Sequence, residues 1–205
     1  MNQATSNTQT TAKAADYRPQ LAFYHPNARN TGSAVKFELH PAHGNSSGCI
    51  MMSLANQIVT AARTGQGNPT FARFDWQRRI VVKLDFADLS QMLMVLKGEN
   101  ESVGEQKGLF HRSAQAVTRI LLRRVVEPVK GYSLDVYRTA AKGDAGANES
   151  KAHIFLSIPE AIGLACAVEG SMSVIAFGIP KIVPHDTSAY RAQYQGESAH
   201  VRALA

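Results

Sequence analysis

Apolar and polar residues alternate in short runs through the middle of the chain. In "AVKFELH", Val35, Phe37 and Leu39 share one face and Lys36, Glu38 and His40 the other, as a half-buried strand requires. "CIMMSLA" repeats the pattern with Ile50, Met52 and Leu54. The longest run, "FARFDWQRRIVVKLDF" at 71–86, predicts one strand. Phe74, Trp76, Ile80, Val82 and Leu84 would share one face, with Arg73, Asp75, Gln77, Arg79 and Lys83 on the other. Only Arg78 breaks the alternation, and so long a strand is expected to twist strongly or project past its neighbours.

The period then changes. In "DFADLSQMLMVLKG", Phe86, Leu89, Leu93 and Leu96 fall on one helical face, Asp85 suits the N-cap, and Gly98 suits the left-handed position after the last turn. A polar loop, "ENESVGEQKG", leads to the strand-like runs "GLFHRS", "VTRILLRRVVE", "YSLDVYRTA" and "KAHIFLSI", the last two joined as a hairpin by "AKGDAGANESK". "PEAIGLACAVEGSMSVIAFG" opens on Pro159 in a helical first turn and stays apolar almost to Gly178. The order is four strands, a helix, four strands, a helix: an α+β chain of two similar halves, each with an antiparallel sheet.

The second helix is apolar nearly all round, the mark of burial on more than one side. Its length also suits a membrane span. Glu160 and Glu169 argue against that, because a carboxylate near mid-bilayer costs about 2–3 kcal/mol. Burial against the sheets and partner subunits is expected, with Gly163 and Gly170 allowing close approach; burial wholly within the protomer is the alternative. Residues 1–19 are too rich in Ala, Thr, Ser, Asn and Gln to bury a core and are expected to form a disordered arm. That stretch lacks the apolar segment of a secretory signal, and with only Lys13 and Arg18 basic it does not read as a transit peptide. From Pro180 the periodicity is lost again, so 180–205 reads as a flexible tail and 20–179 as a single domain.

Charge narrows the choice of partner. Lys and Arg total 22 against 16 Asp and Glu, a formal net charge of +6, which suits nucleic acid or an acidic membrane surface. Cys49 and Cys166 form no CxxC, so neither a disulfide framework nor a zinc finger is expected, and a reducing compartment is the simplest setting. "HPAH" brings His40 and His43 together without the third ligand that catalytic zinc needs. His111 reads as a hydrogen-bonded structural residue or a base, and Cys166 as a small core residue. With no P-loop and no G-x-G-x-x-G, no catalytic site, metal or cofactor is expected.

The ordered set of motifs resembles the Whirly single-stranded DNA-binding proteins of plant organelles, and more distantly the kinetoplastid guide-RNA-binding proteins that share their fold. "FDWQRRIVVKLDFADLSQMLMVLKG" at 74–98 is similar to the family's aromatic-Asp-Trp segment, with a basic residue soon after the Trp and an amphipathic helix ending in Gly. "LFHRS" at 109–113 resembles its Phe-Phe-His stretch, and "RILLRRVVEP" at 119–128 the strand with a Val-Glu-Pro ending. Where the plant proteins carry Lys-Gly-Lys-Ala-Ala-Leu on the second strand, this chain reads "NTGSAVKFEL", without the two lysines. The resemblance therefore does not carry over the higher-order assembly linked to that motif. The resemblance implies two antiparallel four-stranded sheets packed across each other, with helices joining four protomers in a homotetramer. It also implies single-stranded DNA, or RNA, running over the sheets with little sequence preference. A cytoplasmic, nucleoid-associated bacterial or mobile-element protein is expected ahead of one in an organellar matrix.

Binding a single strand without reading its sequence calls for cations along the phosphate path and aromatic faces for unpaired bases. Arg73, Arg78, Arg79 and Lys83, with Lys36 on a neighbouring strand, are the candidate phosphate contacts; each is also readable as an ordinary solvated cation. Trp76 and Phe74 are candidate stacking residues or core residues, and Tyr24, Phe110 and Tyr137 further stacking candidates. Arg112, Arg119, Arg123 and Arg124 would extend the basic path, unless "LLRR" serves to deter pairing at a sheet edge. A peripheral membrane or scaffold module using the apolar helix is the other class of function.

Overall fold

The computed structural model describes residues 20–62, 70–140 and 149–180. The arm, most of the tail and most of the "AKGDAGANESK" connection lie outside them. Nine strands form two antiparallel sheets. In the first, β1 (Gln20–His25), β2 (Ser33–His40) and β3 (Cys49–Val59) pair in sequence, and the far edge of β3 carries β4 (Arg73–Phe74) and β5 (Ile80–Leu84). Helix α1 (Phe86–Leu96) follows. The second sheet runs β6 (Leu109–Arg112), β7 (Ala116–Val125), β8 (Gly131–Ala140), β9 (Ser150–Ser157), and the described chain ends in α2 (Ile158–Phe177).

The run 71–86 is therefore not one strand. Phe74 lies opposite Gln57 and Ile80 opposite Leu54, so the five residues from Asp75 to Arg79 stand against only Ala55 and Asn56. The excess is odd, and an odd slip turns every following side chain to the other face. Ile80, Val82 and Leu84 point into the core, as predicted, but Phe74 and Trp76 are on the outer face and only half-buried. The break is held locally. Asp75 Oδ1 accepts from the Arg78 amide (3.1 Å), and Arg79 Nη1 donates to the Trp76 carbonyl (2.6 Å).

One core joins both sheets and both helices, with Met52, Leu54, Leu84, Leu89, Met92, Ile120, Leu122, Leu134 and Ile154 essentially inaccessible. α1 begins as expected: Asp85 accepts from the Asp88 amide (3.0 Å) and Asp88 Oδ2 from the Asp85 amide (3.1 Å). Gly98 follows its end at φ +81°, where a side chain would be strained. Ser157 and Glu160 form the corresponding box on α2. The β2–β3 loop closes the other end of that helix, donating from Ala42 and Gly48 to the Val174 and Ile175 carbonyls.

α2 is buried along one side only, so the alternative of burial wholly within the protomer does not hold. Ala161, Leu164, Ala165, Val168 and Ile175 face the core, but Ile162, Cys166 and Phe177 are exposed, and Gly163 and Gly170 face open space. Cys166 is thus not a core residue. By length and composition alone α2 could cross a membrane. Both its carboxylates are engaged inside the protomer, Glu160 with His25 (2.6 Å) and Glu169 with Lys97 (2.5 Å).

Candidate nucleic-acid interface

The outer faces of the two sheets hold the sequence-predicted residues in two separate groups. On the first sheet, the register puts Ala22 and Tyr24 (β1), Ala34 and Lys36 (β2), and Ser53 and Ala55 (β3) on the outer side. Trp76 leaves the bulge and lies over this side, with Lys36 Nζ 4.5 Å from its ring centroid. Tyr24 joins it to Phe74, with centroids 6.3 Å and 5.7 Å away respectively. Ala34 and Ala55 are fully covered although they face outward, so small side chains floor an aromatic cluster. A shallow cleft of about 190 Å³ opens beside it between Trp76, Arg79, Lys36, Glu38, Ser53 and Gln20.

A buried amide sets this geometry. Gln57 Oε1 accepts from the Asn27 and Gly32 amides (2.9 and 3.2 Å), and its Nε2 donates to the Asn27 and Val59 carbonyls (3.0 and 3.1 Å). All its polar capacity is used in fastening the β1–β2 turn to β3, which holds Tyr24 beside the bulge. A Cβ on Gly32 would run into Gln57 Oε1, so that position is restricted to glycine. Arg78 is 90 % exposed with its Nε 3.8 Å from Asp75, and Arg73 and Lys83 are also exposed.

The second sheet carries a different arrangement. Phe110 lies opposite Arg119, Arg119 opposite Tyr137, and Tyr137 opposite Lys151, an aromatic–cation–aromatic–cation row across all four strands. Arg119 sits 5.7 Å from the Phe110 ring, with its Nε donating to the Lys107 carbonyl (2.7 Å), and Lys151 Nζ is 5.0 Å from the Tyr137 ring. Phe110 is 60 % exposed, and Arg112 follows it on the same face of β6. Lys151 was not foreseen, because its place in the row depends on which strands pair and in what register. Arg119 was foreseen only as an extension of the path.

Beside the row, two residues from Tyr137 on the same face of β8, is a carboxylate. Asp135 is 5 % exposed, accepts from Ser133 Oγ (2.7 Å), faces His153 Nδ1 (3.0 Å) and lies 4.0 Å from Arg123. Burial alone would raise its pKa, but the hydrogen bonds from His153 and Ser133 and the His153 and Arg123 charges hold it below the ordinary range. Arg123 therefore faces Asp135, while Arg124 approaches Glu101 (3.9 Å); both lie in the half of β7 that extends past β6. His111 turns the other way, to Asp88 Oδ2 (2.9 Å), and ties the edge strand to the first turn of α1. The structural reading of His111 holds.

A cleft of about 320 Å³ lies where the sheets meet, lined by Asp75, Arg78, Asn56, Ser150 and Lys151, with Asn56 Nδ2 donating to the Lys151 carbonyl (3.1 Å). It places a cation of each group on one edge of the domain. Among the described residues no group of three or more His, Cys, Asp or Glu could hold a metal ion.

No protein-family model and no curated protein matches the chain. Among solved structures, the crystal structure of WHY1 from Arabidopsis thaliana matches with a TM-score of 0.60 at 10 % identity, covering 90 % of this chain and 95 % of that one. WHY3 from the same plant matches at 0.59 and 12 % identity, over 89 % and 98 % of the two chains. Both are Whirly proteins, so the fold expected from the sequence motifs, two antiparallel sheets with two helices, is the fold the chain has.

Proposed function

We propose that the protein binds single-stranded DNA without catalysis and with little sequence preference, acting on strands exposed in replication, recombination, repair or transfer. The carrying observation is the pairing of aromatics with cations on both outer faces: Trp76 under Lys36 on one, Phe110 and Tyr137 flanked by Arg119 and Lys151 on the other. Stacking on an aromatic is worth about 1–3 kcal/mol per base and needs no particular base, while the cations meet the phosphates. RNA would satisfy the same contacts unless a 2′-hydroxyl is read. The cytoplasm is the expected place of action.

The exposed apolar face of α2 supports assembly into a homo-oligomer, a tetramer in this reading. Ile162 is 57 % and Phe177 88 % exposed, and Gly163 and Gly170 leave room for a second helix. An aqueous monomer would leave this surface unburied; sedimentation of the full chain tests the tetramer.

Binding is tested by fluorescence anisotropy with labelled 30-mer single-stranded DNA, the matching duplex and the matching RNA, each across a salt series. Strong single-strand and weak duplex binding is expected. Equal binding to all three that vanishes at physiological salt would reduce the faces to unspecific charge. Tight partitioning onto anionic vesicles without oligonucleotide affinity would replace the reading with a membrane module.

A further inference from the structure

We propose that the His153 imidazole is a phosphate contact that works only when protonated, so that binding to the second sheet takes up a proton. This rests on the reading of that sheet's outer face as a nucleic-acid surface. The register puts His153 opposite Asp135, on the same face as Lys151 and two residues further along β9, about 6.7 Å away at ordinary strand rise. Its side chain is 48 % exposed, while that of Asp135, which it touches, is buried.

The geometry fixes which nitrogen does what. Nδ1 is spent on Asp135, whose ionised carboxylate keeps a proton there, and Nε2 is the nitrogen left for a ligand. In the neutral ring Nε2 is an acceptor with nothing to offer a phosphate oxygen; in the cation it becomes a charged donor. The charged groups facing the ring from the strands around it are Asp135 on β8, Arg123 on β7, and Lys151 on its own strand, with the neutral Ser133 and Tyr137 on β8. Arg123 lies on the far side of Asp135 across β8, and Lys151 is drawn toward Tyr137, so Asp135 is the group in direct contact. A phosphate arriving beside Lys151 would complete a site with Asp135 behind the ring and an anion in front of it.

Proton linkage then has a definite sign. An anion at Nε2 favours the cation, so the complex holds a proton that the neutral ring lacks and affinity climbs as pH falls. One such group can change affinity by at most about tenfold per pH unit, and an exposed contact should give about three- to tenfold in all between pH 8 and pH 6.

The test is anisotropy with labelled 30-mer oligothymidylate at pH 8 and pH 6, at fixed ionic strength, on the full chain and on H153Q. The expected result is an acid gain in the parent that H153Q loses; H111Q, which removes a ring turned to Asp88, should keep it. In parallel, an NMR titration of the parent's His153 ring should show its pKa rise when the oligonucleotide is bound. An acid gain that survives in H153Q, or a ring pKa that does not move on binding, overturns this inference and leaves the binding reading intact. No binding at either pH overturns both.

Discussion

The two outer faces use the same residue types in different constructions. On the first sheet Tyr24 meets both Phe74 and Trp76 over a floor of alanines, and Lys36 lies over Trp76. On the second, each aromatic is separated from the next by a cation, and no pair of rings meets among the described residues. The anchors differ as well. Gln57 is neutral and spends its amide on backbone, whereas Asp135 is a carboxylate held by the Ser133 and His153 side chains with Arg123 nearby. A clustered face with a neutral anchor should grip bases at any ordinary pH. An alternating face with an ionic anchor should grip phosphates and answer to pH and salt.

The largest effect expected from this contrast is that of Trp76→Ala. Loss of this ring should weaken single-strand binding by about tenfold to a hundredfold, with little change in salt dependence, because stacking releases no counterions. Next comes R78E/R79E, which should weaken binding to every sequence alike by about tenfold and flatten the salt slope, the ordinary contribution being about −0.7 per phosphate neutralised. An unchanged slope would remove these cations from the path. Phe110→Ala should cost less, about two- to fivefold, since the ring stands at the edge of its row and shares its face with Arg119. If Phe110→Ala equalled Trp76→Ala, the distinction between a stacking face and a phosphate face would fail. All three are read in the same anisotropy assay.

The architecture was legible wherever one face of an element is buried and the other wet. The second sheet's runs, both helices, Asp85 and Gly98 follow from pattern and capping chemistry alone. β1 was harder, because Leu21 and Phe23 face inward while Ala22 and Tyr24 face outward, leaving no polar alternation to read. The site was legible in its residue types and not in its placement. Arg78, the one residue that breaks the pattern of 71–86, marks the bulge, but periodicity cannot count the residues that a bulge adds, and that count decides which face receives Trp76. The row on the second sheet, and Asp135 beside it, depend on pairing between strands far apart in sequence, which a period along one strand does not carry.

The smallest effect separates the two anchors by stability rather than binding. Asp135 has its folded pKa depressed below the ordinary value near 3.8, so its contribution is fully present above that pH and is lost as pH falls through the folded value. Glu160, also lowered against its burial by hydrogen bonds from Ser157 and His25, behaves the same way and ties the end of β1 to α2. Gln57 has no such dependence. On acidification below about pH 4, amide hydrogen exchange should therefore rise in β8 and β9 before it rises in the β2–β3 hairpin. D135N, which keeps the shape but not the charge, should lower stability at pH 7 by about 1–3 kcal/mol, and the deficit should shrink toward acid as the parent's own carboxylate is neutralised. A deficit that stayed constant down to pH 3 would mean that Asp135 acts through packing, and the ionic character assigned to the second face would have to rest on its surface cations alone.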